Sequence, residues 1–101
     1  MNNIDEFNYI NDLYDIYRDL FTKKQIAIMD KYYKFNLSLK EISIELEISR
    51  SAVLDSINHC KDKLNEYESI LKLHQKYKNI RNILEKSNID TDVKEKIYKE
   101  L

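Results

Sequence analysis

The sequence predicts an all-α fold, and three observations carry that prediction. Its 101 residues include no glycine and no proline, so turns must be built from polar caps, which favours helices joined by short connections. No stretch alternates apolar and polar residues over a strand length between turn formers. Apolar residues instead recur at spacings of three and four, the period of one helical face. Hydrophobic residues form 43% of the chain and charged residues 35%, enough for one modest core under a charged surface.

The elements follow in order. A first helix is expected from about Ile4 to Leu20, with Phe7, Ile10, Leu13, Tyr14, Tyr17 and Phe21 on one apolar face. Thr22 followed three residues later by Gln25 is a capping box, which starts a second helix at Lys23. That helix turns Ile26, Met29 and Tyr33 inward, and Lys34–Asn36 makes a polar link. Ser38 and Glu41 repeat the capping box ahead of a short third helix carrying Ile42 and Leu46. Glu47 and Ile48 are left as a turn, and the Ser49 hydroxyl can cap a fourth helix.

Beyond Arg50 no residue stops that helix. Val53, Ile57, Cys60, Leu64, Tyr67 and Leu71 repeat with heptad-like spacing, and Ile70, Leu73, Tyr77, Ile80 and Leu84 continue on a rotated phase. One long helix, or two with a bend near Glu66–Glu68, satisfies the pattern. Residues 86–90 end it, and Asp90 or Asp92 can cap a last helix with Val93, Ile97 and Leu101. The expected organisation is a helical head, residues 1–64, with a helix-turn-helix at 38–64. An amphipathic tail, residues 65–101, follows. The tail seam needs a cover, either by folding back or from a second chain, and a homodimer through residues 66–84 is expected.

Charge is unevenly placed. Residues 1–20 carry Asp5, Glu6, Asp12, Asp15 and Asp19 against Arg18, whereas residues 72–81 carry Lys72, Lys76, Lys78 and Arg81 with no acid. The net charge of −1 gives no global attraction to nucleic acid. The start of the chain lacks a basic region followed by an apolar run, and no apolar run approaches the ~20 residues of a membrane span. A cytoplasmic protein without membrane contact is expected. The single Cys60 makes neither a disulfide nor a metal cluster, and His59 and His74 stand fifteen apart. No metal or other cofactor is expected.

Residues 46–57, LEISRSAVLDSI, read as the turn and second helix of a helix-turn-helix. Ile42, Leu46, Ile48, Val53 and Ile57 are spaced to pack two helices steeply across a tight turn, and Ser43 is small at their closest approach. Glu47 stands where such turns usually hold glycine. The solvent face of the second helix offers Ser49, Arg50, Ser51, Leu54, Asp55 and Asn58. Arg50 and Ser51 suit phosphate or a base edge, and Asp55 can accept from cytosine N4. The bland reading pairs Arg50 with a nearby acid, leaves Ser51 merely exposed, and makes Asp55 a solvated residue paired with Arg50 or His59. Residues 38–63 hold four cations (Lys40, Arg50, Lys61, Lys63) and five anions (Glu41, Glu45, Glu47, Asp55, Asp62). Duplex affinity rests on phosphate neutralisation, so the balance weighs against DNA.

The tail basics Lys72, Lys76, Lys78 and Arg81 could touch RNA, with Tyr77 or His74 stacking on a splayed base. Tyr77 falls on the apolar seam, however, and the lysines flank it, which is also the pattern of a solvated face. Asp55, His59 and Cys60 do not make a catalytic site: Cys60 lies on the buried stripe, and the chain offers neither an oxyanion hole nor a glycine loop. No catalytic residue is assigned, and no enzyme activity is expected.

The strings NYINDLYDIYRDLFTKKQ and DKYYKFNLSLKEISIELEISRSAVLDSINHCKDKL resemble the YlxM family of small bacterial proteins, over roughly residues 8–85. The helix-turn-helix is similar to region 4 of RNA polymerase sigma factors. Family members are encoded beside the signal recognition particle genes. The resemblance therefore implies a non-enzymatic accessory or regulatory role in that pathway, through the particle's RNA or its GTPase. A DNA-binding transcriptional regulator is the alternative. Members often carry a basic pair after the recognition-helix isoleucine, where this chain has Asn58 and His59.

Overall fold

The computed structural model describes residues 2–101. Six α-helices and one 3₁₀ turn make up its regular structure, with no strand among the described residues. They are α1 (Asn3–Tyr17), the 3₁₀ turn Arg18–Leu20, α2 (Lys23–Tyr33), α3 (Leu39–Leu46), α4 (Arg50–Leu71), α5 (Leu73–Glu85) and α6 (Thr91–Tyr98).

Both capping boxes form. Thr22 and Gln25 exchange side-chain and backbone bonds at the start of α2, and Ser38 and Glu41 do so at α3. Ser49 accepts from the Ala52 amide at the start of α4, and Asp90 accepts from the Asp92 amide at α6. The first helix is shorter than expected. Its last turn tightens to 3₁₀ over Arg18–Leu20, where the Phe21 amide bonds back to Arg18 O before the extended entry into α2.

One core joins the first four helices. Ile10, Leu13, Tyr14, Tyr17 and Phe21 meet Ile28, Met29 and Tyr33 of α2, Ile42 of α3, and Val53, Ile57, Cys60 and Leu64 of α4. Ile26, expected inward, is only half-buried, and Ile28 is covered instead. Two tyrosine hydroxyls find polar partners at the edge of the core, as buried phenols require. Tyr14 donates to Asp30 Oδ1 at 2.7 Å, and the same carboxylate takes Arg18 at 3.2 and 2.7 Å. Tyr17 donates to Glu68 Oε1 at 2.7 Å.

The tail is two helices. The bend lies at Lys72, in the left-handed region at φ 55° and ψ 30°, rather than near Glu66–Glu68. Glu68 sets it: its carboxylate accepts from the His74 and Gln75 amides at 3.0 and 3.2 Å, capping α5 from the previous helix. The bend turns α5 back along α1, where Tyr9 meets His74 edge-on with ring centres 5.2 Å apart. The continuous seam expected across residues 70–84 is accordingly broken. Leu73 packs against the core and Leu84 is buried apart from it, but Ile70 is 68% exposed and Ile80 37%. The head–tail boundary expected at residue 64 falls inside α4. The molecule measures 53 by 27 by 25 Å.

Candidate nucleic-acid interface

The helix-turn-helix is α3, the Glu47–Ser49 turn and the first half of α4. Glu47 takes the left-handed conformation, φ 56° and ψ 43°, at the position where such turns usually hold glycine. A non-glycine residue there costs roughly 1 kcal/mol. The Glu47 amide bonds to Ile44 O, and the Ile48 amide to Ser43 O at 3.1 Å, so the first two amides of the turn are paired. Val53, Ile57 and Cys60 are buried on one side of α4. Arg50, Ser51, Leu54, Asp55 and Asn58 all lie exposed on the other, because residues three and four apart share a helical face.

These side chains are differently engaged. The Ser49 hydroxyl is occupied by the α4 cap and lies 3.2 Å from Ser51 Oγ. Arg50 and Asp55 make no ion pair among the described residues, so the bland pairing reading does not describe them. Lys61 pairs with Glu6 at 2.9 Å, Lys63 with Glu66 at 3.3 Å, and Glu45 with Lys31 at 3.0 Å. Hydrogen bonding from Lys61 holds the Glu6 carboxyl below its usual range. Lys24 joins this surface from outside the motif. It shares an open cleft of about 300 Å³ with Ile48, Ala52 and Ser56 beside the start of α4. Sequence reading missed it, since only the α2–α4 packing brings it there.

The tail basics do not share one face. His74, Lys78 and Arg81 follow one another at spacings of four and three, and Lys76 lies on the opposite flank. Arg81 and His74 line an open cleft of about 580 Å³ with Asp12 and Asp15 of α1. His74 Nε2 stands 3.8 Å from Asp12 Oδ2, and Arg81 donates to Leu101 O at 3.4 Å. Acidic α1 thus faces one flank of basic α5. Lys72, Lys76 and Lys78 remain exposed and without an ion pair among the described residues. Tyr77 is half-buried in the cleft wall, as its seam position predicts.

Cys60 is fully buried, and burial pushes its thiol up to about 11, so it is no nucleophile near neutrality. Asp55 and His59 are exposed and share no hydrogen bond. No group of three metal-ligating side chains occurs among the described residues, and no helix among them is long and apolar enough to cross a membrane.

Residues 4–101 match the family described as "Putative helix-turn-helix protein, YlxM / p13 like", UPF0122. The chain belongs to that family. A UPF0122 protein of Shouchella clausii is 41% identical over 81 residues, which is 80% of this chain and 74% of the relative. One from Oceanobacillus iheyensis is 39% identical over 88 residues, 87% of this chain and 84% of the relative. One from Bacillus pumilus is 42% identical over 77 residues, 76% and 70%. The family match covers residues 4–101 and so takes in α5 and α6 as well as the helix-turn-helix.

Proposed function

We propose that this chain is a non-enzymatic accessory protein of the signal recognition particle pathway in the cytoplasm, acting by binding the particle's RNA. The observation that carries the reading is the exposed stripe Arg50, Ser51, Leu54, Asp55 and Asn58 on an intact helix-turn-helix. Membership of a helix-turn-helix family supports nucleic acid as the ligand, and the gene neighbourhood of the YlxM family supports the pathway. Among the described residues, Lys24, Lys40 and Arg50 on this side of the molecule make no ion pair, and neither do the acids Glu47, Asp55 and Asp62. A face so balanced is poorly suited to a B-form duplex, whose affinity depends on neutralising many phosphates. Looped RNA is read more by stacking and base edges, and Lys72, Lys76 and Lys78 add phosphate contacts on the tail.

Amide chemical-shift mapping tests this. Titration with signal recognition particle RNA is expected to shift Arg50, Ser51 and Asn58 together with Lys76 and Lys78. Shifts confined to this stripe on adding the particle's GTPase, with none from RNA, would replace the RNA partner with the protein. Equal shifts with random duplex DNA would favour the transcriptional-regulator reading, which the exposed Arg50 and Ser51 at a recognition-helix start also support.

A further inference from the structure

From the α4–α5 junction we infer that Lys72 is a two-state hinge, and that straightening there lets two copies of this chain exchange α5. The inference is independent of the nucleic-acid reading and gives the expected dimer through residues 66–84 a geometry.

The break between α4 and α5 is one residue long. Lys72 alone leaves the helical region, and it does so as a non-glycine residue in the left-handed conformation. Helical hydrogen bonding runs to both sides of it: the Lys72 amide bonds to Glu68 O and the Lys76 amide to Lys72 O, each at 2.9 Å. Only three amides are diverted. Leu73 N donates to the Tyr17 hydroxyl at 3.3 Å, while His74 N and Gln75 N donate to the Glu68 carboxylate. In a continuous helix the same amides would bond to the carbonyls of Ser69, Ile70 and Leu71. Both states therefore satisfy the backbone, and the sequence through the junction has no glycine or proline to oppose a straight helix.

The bent state is held by side chains. Tyr17 and Glu68 form the latch, and Tyr9 and Asp12 of α1 hold His74. Straightening releases α5 from α1 and uncovers Tyr9, Ile16 and Tyr17. The one surface that fits this site as it stands is α5, so a second straightened copy covers it with its own α5 and receives the reciprocal contact. Exchange of an identical element between protomers is a low-cost route to a dimer, and short strained hinges invite it.

Light scattering on gel-filtered protein across micromolar concentrations, with two hinge variants, tests the inference. Lys72→Gly removes the left-handed penalty and weakens a straight helix, favouring the bent state about 30-fold per chain. With two hinges per dimer, it should raise the dimer Kd roughly 1000-fold. Glu68→Ala removes the cap of the bent state only and should favour straightening roughly tenfold per chain. Tyr17→Phe, which keeps the packing, takes its place if circular dichroism shows that variant unfolded. Tyr9→Cys with His74→Cys, joined by a short bis-maleimide, reports whose α5 lies on which α1, since buried Cys60 does not compete. Links between chains in the dimer fraction and within chains in the monomer fraction are expected. Three results would each overturn the inference: a folded latch variant that stays monomeric, a Lys72→Gly protein that dimerises like the parent, or dimers linked only within chains.

Discussion

Asp30→Ala should be among the most damaging substitutions of a partly exposed residue. Tyr14 is fully buried, and its hydroxyl donates to Asp30 Oδ1 at 2.7 Å, with Ile26 O at 3.5 Å the only other acceptor nearby among the described residues. Removing the carboxylate leaves a buried donor with a bond too long to replace the one it lost. An orphaned buried hydroxyl costs about 1–3 kcal/mol. Arg18 also loses its partner, but its guanidinium lies at the surface and adds little that would be measurable. The expected loss is therefore about 2 kcal/mol, a fall in Tm of roughly 10 °C for a domain of this size. Tyr14→Phe alone removes both the donor and its need, so it should cost about 1 kcal/mol or less. The double variant should then be less destabilised than the sum of the singles. Thermal and urea melts of the four proteins supply the cycle. Additive losses, or an Asp30→Ala loss below about 0.5 kcal/mol, would refute the reasoning, since that is the scale of an ordinary surface change.

Other outcomes follow from the same geometry. Glu47→Gly relieves the left-handed turn between α3 and α4 and should raise stability by about 0.5–1 kcal/mol in a thermal melt. Ser49→Ala removes the α4 cap and should cost about 1 kcal/mol by the same measurement. Burial raises the Glu68 carboxyl, but the bonds from Tyr17, His74 N and Gln75 N outweigh it and hold the group below its usual range. Its contribution to stability is therefore present above the unfolded-state pKa and lost as pH falls through the lower folded value. Glu68→Gln should flatten that acid limb of the melting curve. Lys76→Ala and Lys78→Ala should each weaken RNA binding across sequences and reduce the salt slope by about one.

The local part of the fold was legible because its signals are local. Thr22–Gln25, Ser38–Glu41 and Ser49 each name a helix start with a donor–acceptor pair inside four residues, and all three form. Glu47 was readable as the turn position because the helix-turn-helix spacing leaves one place for it, and the structure resolves its conformation as left-handed. The bend at Lys72 was not readable. No breaker marks it, and the Glu68 carboxylate that caps α5 is held by the Tyr17 hydroxyl from 51 residues away. The candidate interface divides the same way. Arg50, Ser51, Leu54, Asp55 and Asn58 follow from helical period alone, and the structure brings them to one face. Lys24 arrives by tertiary packing, and Arg81 turns into the cleft with α1 because Asp12 and Asp15 lie opposite it. The acidic run of residues 1–20 and the basic run of residues 72–81 meet each other along one flank of α5.

Fluorescence anisotropy of labelled signal recognition particle RNA and of random duplex DNA, titrated with the protein at low and physiological salt, tests the central claim most directly. Selective RNA binding that survives physiological salt and weakens in Arg50→Ala is the predicted result. Equal weak binding to both, lost at physiological salt, would contradict it and leave only a generic attraction to phosphate.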